Sequence, residues 1–150
     1  MANFGKWNIG AGLTTVLSTG LNTLATNTMS AASSTYVNQT NLDLYCDLEV
    51  FLASFTPTAA APYVTIYVWG AIDGSTFPAQ SDADLRLTSN QLFCVVPIGT
   101  TAATAQRVMV RNLLLPPEPI QFKLDNQTGA SLAATLNTVK INTYNYNLNG

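Results

Sequence analysis

The sequence predicts an all-β chain: an antiparallel β-sandwich, jelly-roll-like, with an extended N-terminal arm. Three observations predict it. Several short segments alternate apolar and polar residues, the period of two that belongs to a strand with one buried face. Turn signals built from Pro, Gly, Asn and Asp recur at intervals of about ten residues, as in sandwiches and barrels. No segment carries the 3.6-residue apolar period of an amphipathic helix. The chain has 150 residues, enough for one domain with a real core.

Residues 1–12, MANFGKWNIGAG, show no period. Three large apolar groups, Phe4, Trp7 and Ile9, stand among glycines at 5, 10 and 12. This reads as an arm whose glycines allow an irregular path. Its aromatics would anchor it on a neighbouring subunit or on a larger shell, with Trp7 as the main anchor; the alternative is that the segment folds back to cover the edge of its own sandwich. Residues 13–150 then form a single sandwich domain. Within it, residues 13–24 read as a strand, a Gly turn and a second strand, and residues 25–41 as a Thr/Ser-rich loop.

The clearest strand is 41–55, NLDLYCDLEVFLASF. Leu42, Leu44, Cys46, Leu48, Val50 and Leu52 share one face. Asp43, Tyr45, Asp47, Glu49 and Phe51 share the other. Pro57 and Pro62 bracket an Ala-rich connection too short for a helix. In YVTIYVWGAIDG, Val64, Ile66 and Val68 point one way, and Tyr63, Thr65, Tyr67 and Trp69 the other. Asp73-Gly74 ends the stretch with a tight turn. Trp69 and Tyr67 read as rim residues that pack against a neighbouring chain or the arm. The alternative for this row is a sugar platform. Residues 77–87 look irregular, and 90–98 read as a short buried strand. The segment 106–132 gives two strands joined by Pro116-Pro117, with DNQTG as a hairpin turn, and 137–147 is the final strand.

Only 9% of residues are charged, against about 25% in an average protein. The formal net charge is −2. A charge-poor surface is what subunit contacts have. The six basic residues are scattered, which argues against nucleic acid as a partner, because phosphate binding needs clustered Lys and Arg. No apolar run approaches the 18 residues or so of a membrane span, so no membrane partner is expected. The N-terminus lacks the apolar core of a secretion signal. Synthesis in a reducing cytoplasm is therefore expected, with Cys46 and Cys94 as free, buried thiols.

Catalytic chemistry has little to stand on. The chain contains no His, so Ser-His-Asp and Cys-His machinery and the commonest metal ligand are missing. No phosphate loop or dinucleotide fingerprint is present. Asp43, Asp47 and Glu49 line one strand face, where a solvated face is the simpler reading than a glycosidase pair. Asp73, Asp82 and Asp84 fall in loops without an EF-hand spacing. The chain is expected to be no enzyme, with no catalytic residues, cofactor or metal.

Two stretches, YVTIYVWGAIDGSTFP and QRVMVRNLLLPPEPIQFKLDNQTGASLAATLNTVKINTYNYN, resemble small virion structural proteins of tailed bacteriophages. The likeness covers about residues 60–147, and LTTVLSTGLNTLA near the N-terminus is similar more loosely. The resemblance implies a β-sandwich that serves as a capsid decoration or cement protein, commonly a homotrimer on the virion shell. Its partners would be copies of itself and the major capsid protein, after assembly in the host cytoplasm. A carbohydrate- or receptor-binding module on the virion, or a tail component, is the alternative.

Overall fold

The computed structural model describes residues 6–38, 42–78, 86 and 91–147. They form eight strands: β1 Lys6–Leu17, β2 Thr28–Met29, β3 Tyr45–Phe55, β4 Tyr63–Gly70, β5 Leu92–Pro97, β6 Thr104–Leu114, β7 Ile120–Gln127 and β8 Thr138–Asn147. Two four-stranded antiparallel sheets result, ordered β1-β8-β3-β6 and β2-β7-β4-β5. The expected antiparallel β-sandwich is therefore the fold. Its ladders β1·β8, β2·β7, β3·β6 and β4·β5 follow one another along the chain as in a two-stranded ribbon and lie alternately in the first sheet and the second. The ladders β3·β8 and β4·β7 close each sheet.

One core lies between the sheets, and the period of two supplies it. From the first sheet, Cys46, Leu48, Val50, Leu52, Val139 and Ile141 point inward; from the second, Val64, Ile66, Val96, Ile120, Phe122 and Leu124 do so. Each large aliphatic or aromatic side chain fully buried here contributes roughly 1.5–3 kcal/mol. Phe93 meets Phe122 edge-on at 5.8 Å between ring centres. Cys46 is buried, Cys94 is partly so, and both are unbonded thiols. Burial pushes both thiols up to about 12.

Several elements depart from the sequence reading, each for a local reason. Residues 6–12 are the first half of β1, hydrogen-bonded to β8 of the same chain, so this part of the expected arm is an edge strand. The glycines there serve a bulge between Ile9 and Gly12, where Gly12 takes φ 77°. Phe4 lies outside the described residues. Ile9 pairs through its backbone with Tyr144. Beyond Leu17 the chain turns into a 3-10 turn, Thr19–Leu21, with Leu21 buried, where a second strand was expected. Leu42 adopts φ 48°, which interrupts the alternation; Leu42 and Leu44 are consequently exposed and β3 starts only at Tyr45.

The Thr/Ser-rich loop follows β7 closely. Its Ser30, Ser33 and Tyr36 backbone N–H groups donate to Leu124, Phe122 and Ile120 carbonyls at 2.8–2.9 Å. The Ser33 and Ser30 hydroxyls accept in return from the Phe122 and Leu124 N–H groups. Polar side chains thus satisfy a sheet edge that would otherwise be open. The segment DNQTG is not a hairpin, because β7 and β8 belong to different sheets. Asn126 instead accepts from the Thr128 N–H at 3.1 Å and donates to the carbonyls of Leu24 and Ala130. In β5 the burial is incomplete: Leu92 and Val95 are exposed.

Candidate interaction surface

The outward residues of the first sheet form rows across its four strands. Trp7 pairs with Tyr146, then Tyr144 with Tyr45 and Tyr45 with Leu114. The next row holds Leu13, Asn142 and Asp47, and the one after it Lys140, Glu49 and Met109. The face therefore runs from an aromatic end, through polar amides and a carboxylate, to a charged end. At that charged end Arg107 pairs with Glu49 at 2.6 Å and lies 4.9 Å from the Phe51 ring centre.

Trp7 is 59% exposed although it sits in a strand. Three tyrosines hold its indole edge-on: Tyr45, Tyr144 and Tyr146, at 6.0, 5.2 and 5.1 Å between ring centres. Perpendicular contacts of this kind are favoured by the aromatic quadrupole. Tyr45 and Tyr144 stack on each other at 5.9 Å. The Tyr144 hydroxyl donates to Asp47 Oδ1 at 3.0 Å and lies 2.8 Å from the Asn112 side-chain amide. Burial, followed by the Asp47 hydrogen bond, pushes the Tyr144 phenol up to about 12. Asp47 Oδ1 also accepts from the Asn112 N–H at 3.1 Å. Asn112 can make that bond because it adopts φ 58° at a register shift between β3 and β6.

An open hollow of about 340 Å³ results, lined by Trp7, Asp47, Arg111, Asn112, Asn142 and Tyr144. A second, of about 350 Å³, adjoins it across Asp47 and Asn142 and adds Leu13, Glu49 and Met109.

The aromatic row continues through Leu114, the partner of Tyr45, into an apolar end of the sandwich. Val37, Leu42, Leu44 and Leu114 are each between 50% and 63% exposed. Buried polar groups fix the loop that carries them. Asn38 accepts from the Asp43 N–H at 2.9 Å and donates to the carbonyls of Asp43 and Pro116 at 2.8 and 3.1 Å. Asn145 accepts from the Leu44 N–H at 2.7 Å and donates to the Asp43 carboxylate at 3.1 Å. The Asp43 carboxylate lies so close to Gly10 that a Cβ there would collide with it.

Trp69 and Tyr67 do not sit at an open rim. Both are buried, in a small cluster with Met29 and with Phe77 packed against it. The Lys123 ammonium lies 5.7 Å from the centre of the Trp69 ring. The expected contact of Trp69 with a neighbouring chain, and the sugar platform on this row, are therefore corrected: segments of the same chain cover the indole. Burial, then the Asp125 charge, raises the Tyr67 phenol, with Arg86 acting the other way. Arg86 grips Asp125 through two hydrogen bonds at 2.6 and 3.0 Å and donates to the Asn27 carbonyl at 2.7 Å.

The carboxylates fall into structural roles. Asp43 is buried among amides, Asp47 holds Tyr144, and Glu49 pairs with Arg107. Asp73 accepts from the Ser75 and Thr76 N–H groups at 2.9 and 2.6 Å, and the Thr76 hydroxyl, followed by these backbone bonds, lowers its carboxyl to about 2. Asp82 and Asp84 lie outside the described residues. Among the described residues no cluster of His, Cys, Asp or Glu could hold a metal ion, and no helix is long and apolar enough to cross a membrane.

Sequence reasoning selected Trp7 and missed its surroundings. Tyr144 and Tyr146 carried a usable signal, their alternation in the terminal TYNYN, but Arg111 and Asn112 reach the hollow only through the register shift. Comparison with known proteins yields no matching family model and no matching curated protein.

Proposed function

We propose that this chain is a non-catalytic structural subunit of a bacteriophage virion, a capsid decoration or cement protein. It would bind copies of itself, with a trimer the expected size, and the major capsid protein on the outside of the shell. The observation that carries this reading is the apolar end built from Val37, Leu42, Leu44 and Leu114. Large aliphatic groups gathered in one place, on a chain with only 9% charged residues, suit a surface that another protein covers. The antiparallel sandwich supports the same reading, and its strand order is compatible with a jelly roll, which capsid and lectin domains use. Fold alone does not assign function, so the apolar end is the stronger support. Repetition on a lattice turns modest contacts into firm attachment.

The test is a pair of charge insertions, Leu42→Asp and Leu114→Asp. Light scattering of the native chain should give a multiple of the 16.0 kDa protomer. Both variants should shift toward the protomer mass and lose co-sedimentation with the shells of the same virus. A native chain that stays at protomer mass at high concentration, and does not sediment with shells, would sink the proposal.

A further inference from the structure

We infer that the hollow beside Trp7 is a binding site for a neutral oligosaccharide, separate from the apolar end and independent of the assembly role. The chemistry of the lining carries this. A sugar ring offers a face of C–H bonds and a rim of hydroxyls that both donate and accept. The first needs an exposed, rigid aromatic surface. Trp7 provides it, 59% open and held edge-on by three tyrosines. A side chain already locked by packing loses little freedom on binding.

The second needs planar polar groups beside the ring. Arg111, Asn112 and Asn142 line the same hollow. Neither the Arg111 guanidinium nor the Asn142 amide makes a side-chain hydrogen bond among the described residues. Five N–H donors and an amide that donates and accepts are thus available for hydroxyls. Asp47 is the acceptor at the base, held in place by the Tyr144 hydroxyl and the Asn112 N–H.

Charge decides between neutral and acidic sugars. Among the described lining residues of the two hollows the formal charges are Asp47, Glu49 and Arg111, and Glu49 is paired with Arg107. These described residues carry no excess positive charge to attract a uronate or sialate. Size points to more than one sugar. The hollow of about 340 Å³ continues across Asp47 and Asn142 into its neighbour of about 350 Å³, where Leu13 and Met109 offer further apolar contact. Each lies within the usual range for small-ligand sites, roughly 300–1,000 Å³.

Intrinsic fluorescence tests it directly, because Trp7 and Trp69 are the two tryptophans of the chain. In a Trp69→Phe background the signal comes from Trp7 alone. Titration with maltohexaose, cellohexaose, chitohexaose and xylohexaose, with polygalacturonate as the acidic arm, should give a saturable shift with at least one neutral chain. Arg111→Ala and Asn142→Ala, made in that background, should each weaken binding at least tenfold while leaving the thermal midpoint near that of the parent. Calorimetry on the native chain and on Trp7→Ala repeats the test without the Trp69 change, and Trp7→Ala should abolish the heat. The proposal is overturned if no neutral oligosaccharide acts at millimolar concentration, if only polygalacturonate does, or if binding survives all three substitutions.

Discussion

The two tryptophans occupy similar places with opposite outcomes. Trp7 lies on the outer side of the first sheet and Trp69 on the outer side of the second, each beside tyrosines on paired or alternate positions. Trp7 is 59% exposed and Trp69 8%. The strands that carry them do not make this difference. It comes from what lies over each sheet. Met29 of the short edge strand β2, with Phe77 from the loop after β4, covers Trp69. Arg86 ties that side together by bonding Asp125 of β7 and the Asn27 carbonyl at once. Over Trp7, the described chain supplies only the neighbouring tyrosines of the same sheet. An outer face becomes core or surface according to loops that are distant in sequence.

The largest effect should follow from removing the covered ring. Trp69→Ala opens a cavity beneath Met29, Tyr67 and Phe77, and losing a buried aromatic of this kind costs about 3–5 kcal/mol. Urea unfolding followed by circular dichroism checks this. A loss below about 1 kcal/mol would mean that the cover is loose and that the two faces are more alike than the structure makes them.

A middle effect comes from the core that both faces share. Cys46 and Cys94 face into it, with thiols raised from 9.0 to about 12 by burial. The unfolded chain releases these protons as pH rises past 9.0, while the folded chain keeps them until about 12. The unfolded state then binds fewer protons, so stability is intact below that window and falls as pH rises through it. At pH 10 the loss is about 1 kcal/mol for each thiol. Tyr144 and Tyr67 add to it with the same sign at higher pH. Urea midpoints at about pH 8 and pH 10 measure the fall, and Cys94→Ala should reduce it. Rapid reaction of both thiols with a disulfide reagent in the folded protein at neutral pH would contradict a closed core.

How much of this was legible in the sequence follows from the same contrast. Strand periodicity located β3, β4, β7 and β8, because a period of two states which residues point inward. It does not state what covers the other side. Trp69 looked like a rim residue because Met29 and Phe77 lie 40 and 8 positions away, in segments without periodicity. Residues 6–12 read as part of an arm because a bulge at Ile9/Gly12 breaks the alternation, yet they belong to an edge strand. The hollow stayed hidden for a third reason. Arg111 and Asn112 meet Trp7 through a register shift between Cys46 and Leu48, and register shifts leave little trace in composition. Local pattern fixed which strands form, and long-range pairing fixed the surface.

The smallest stability effect, and the sharpest check on the contrast, belongs to Trp7→Ala. Aromatic pairs add roughly 0.5–1.5 kcal/mol beyond their buried area, but a ring that is 59% exposed has little area to lose. The Tyr45–Tyr144 stack stays in place without it, and so does the backbone ladder of β1 with β8. The expected cost is therefore about 1 kcal/mol, well below that of Trp69→Ala. Single-tryptophan variants read the environments separately. With Trp69→Phe, emission from Trp7 should lie to the red and be quenched readily by acrylamide. With Trp7→Phe, emission from Trp69 should lie to the blue and resist quenching. Equal quenching of the two would show that Trp7 is covered in solution, by residues 1–5 or by a second copy of the chain. Dilution then separates these, because only a cover supplied by another copy is lost as concentration falls.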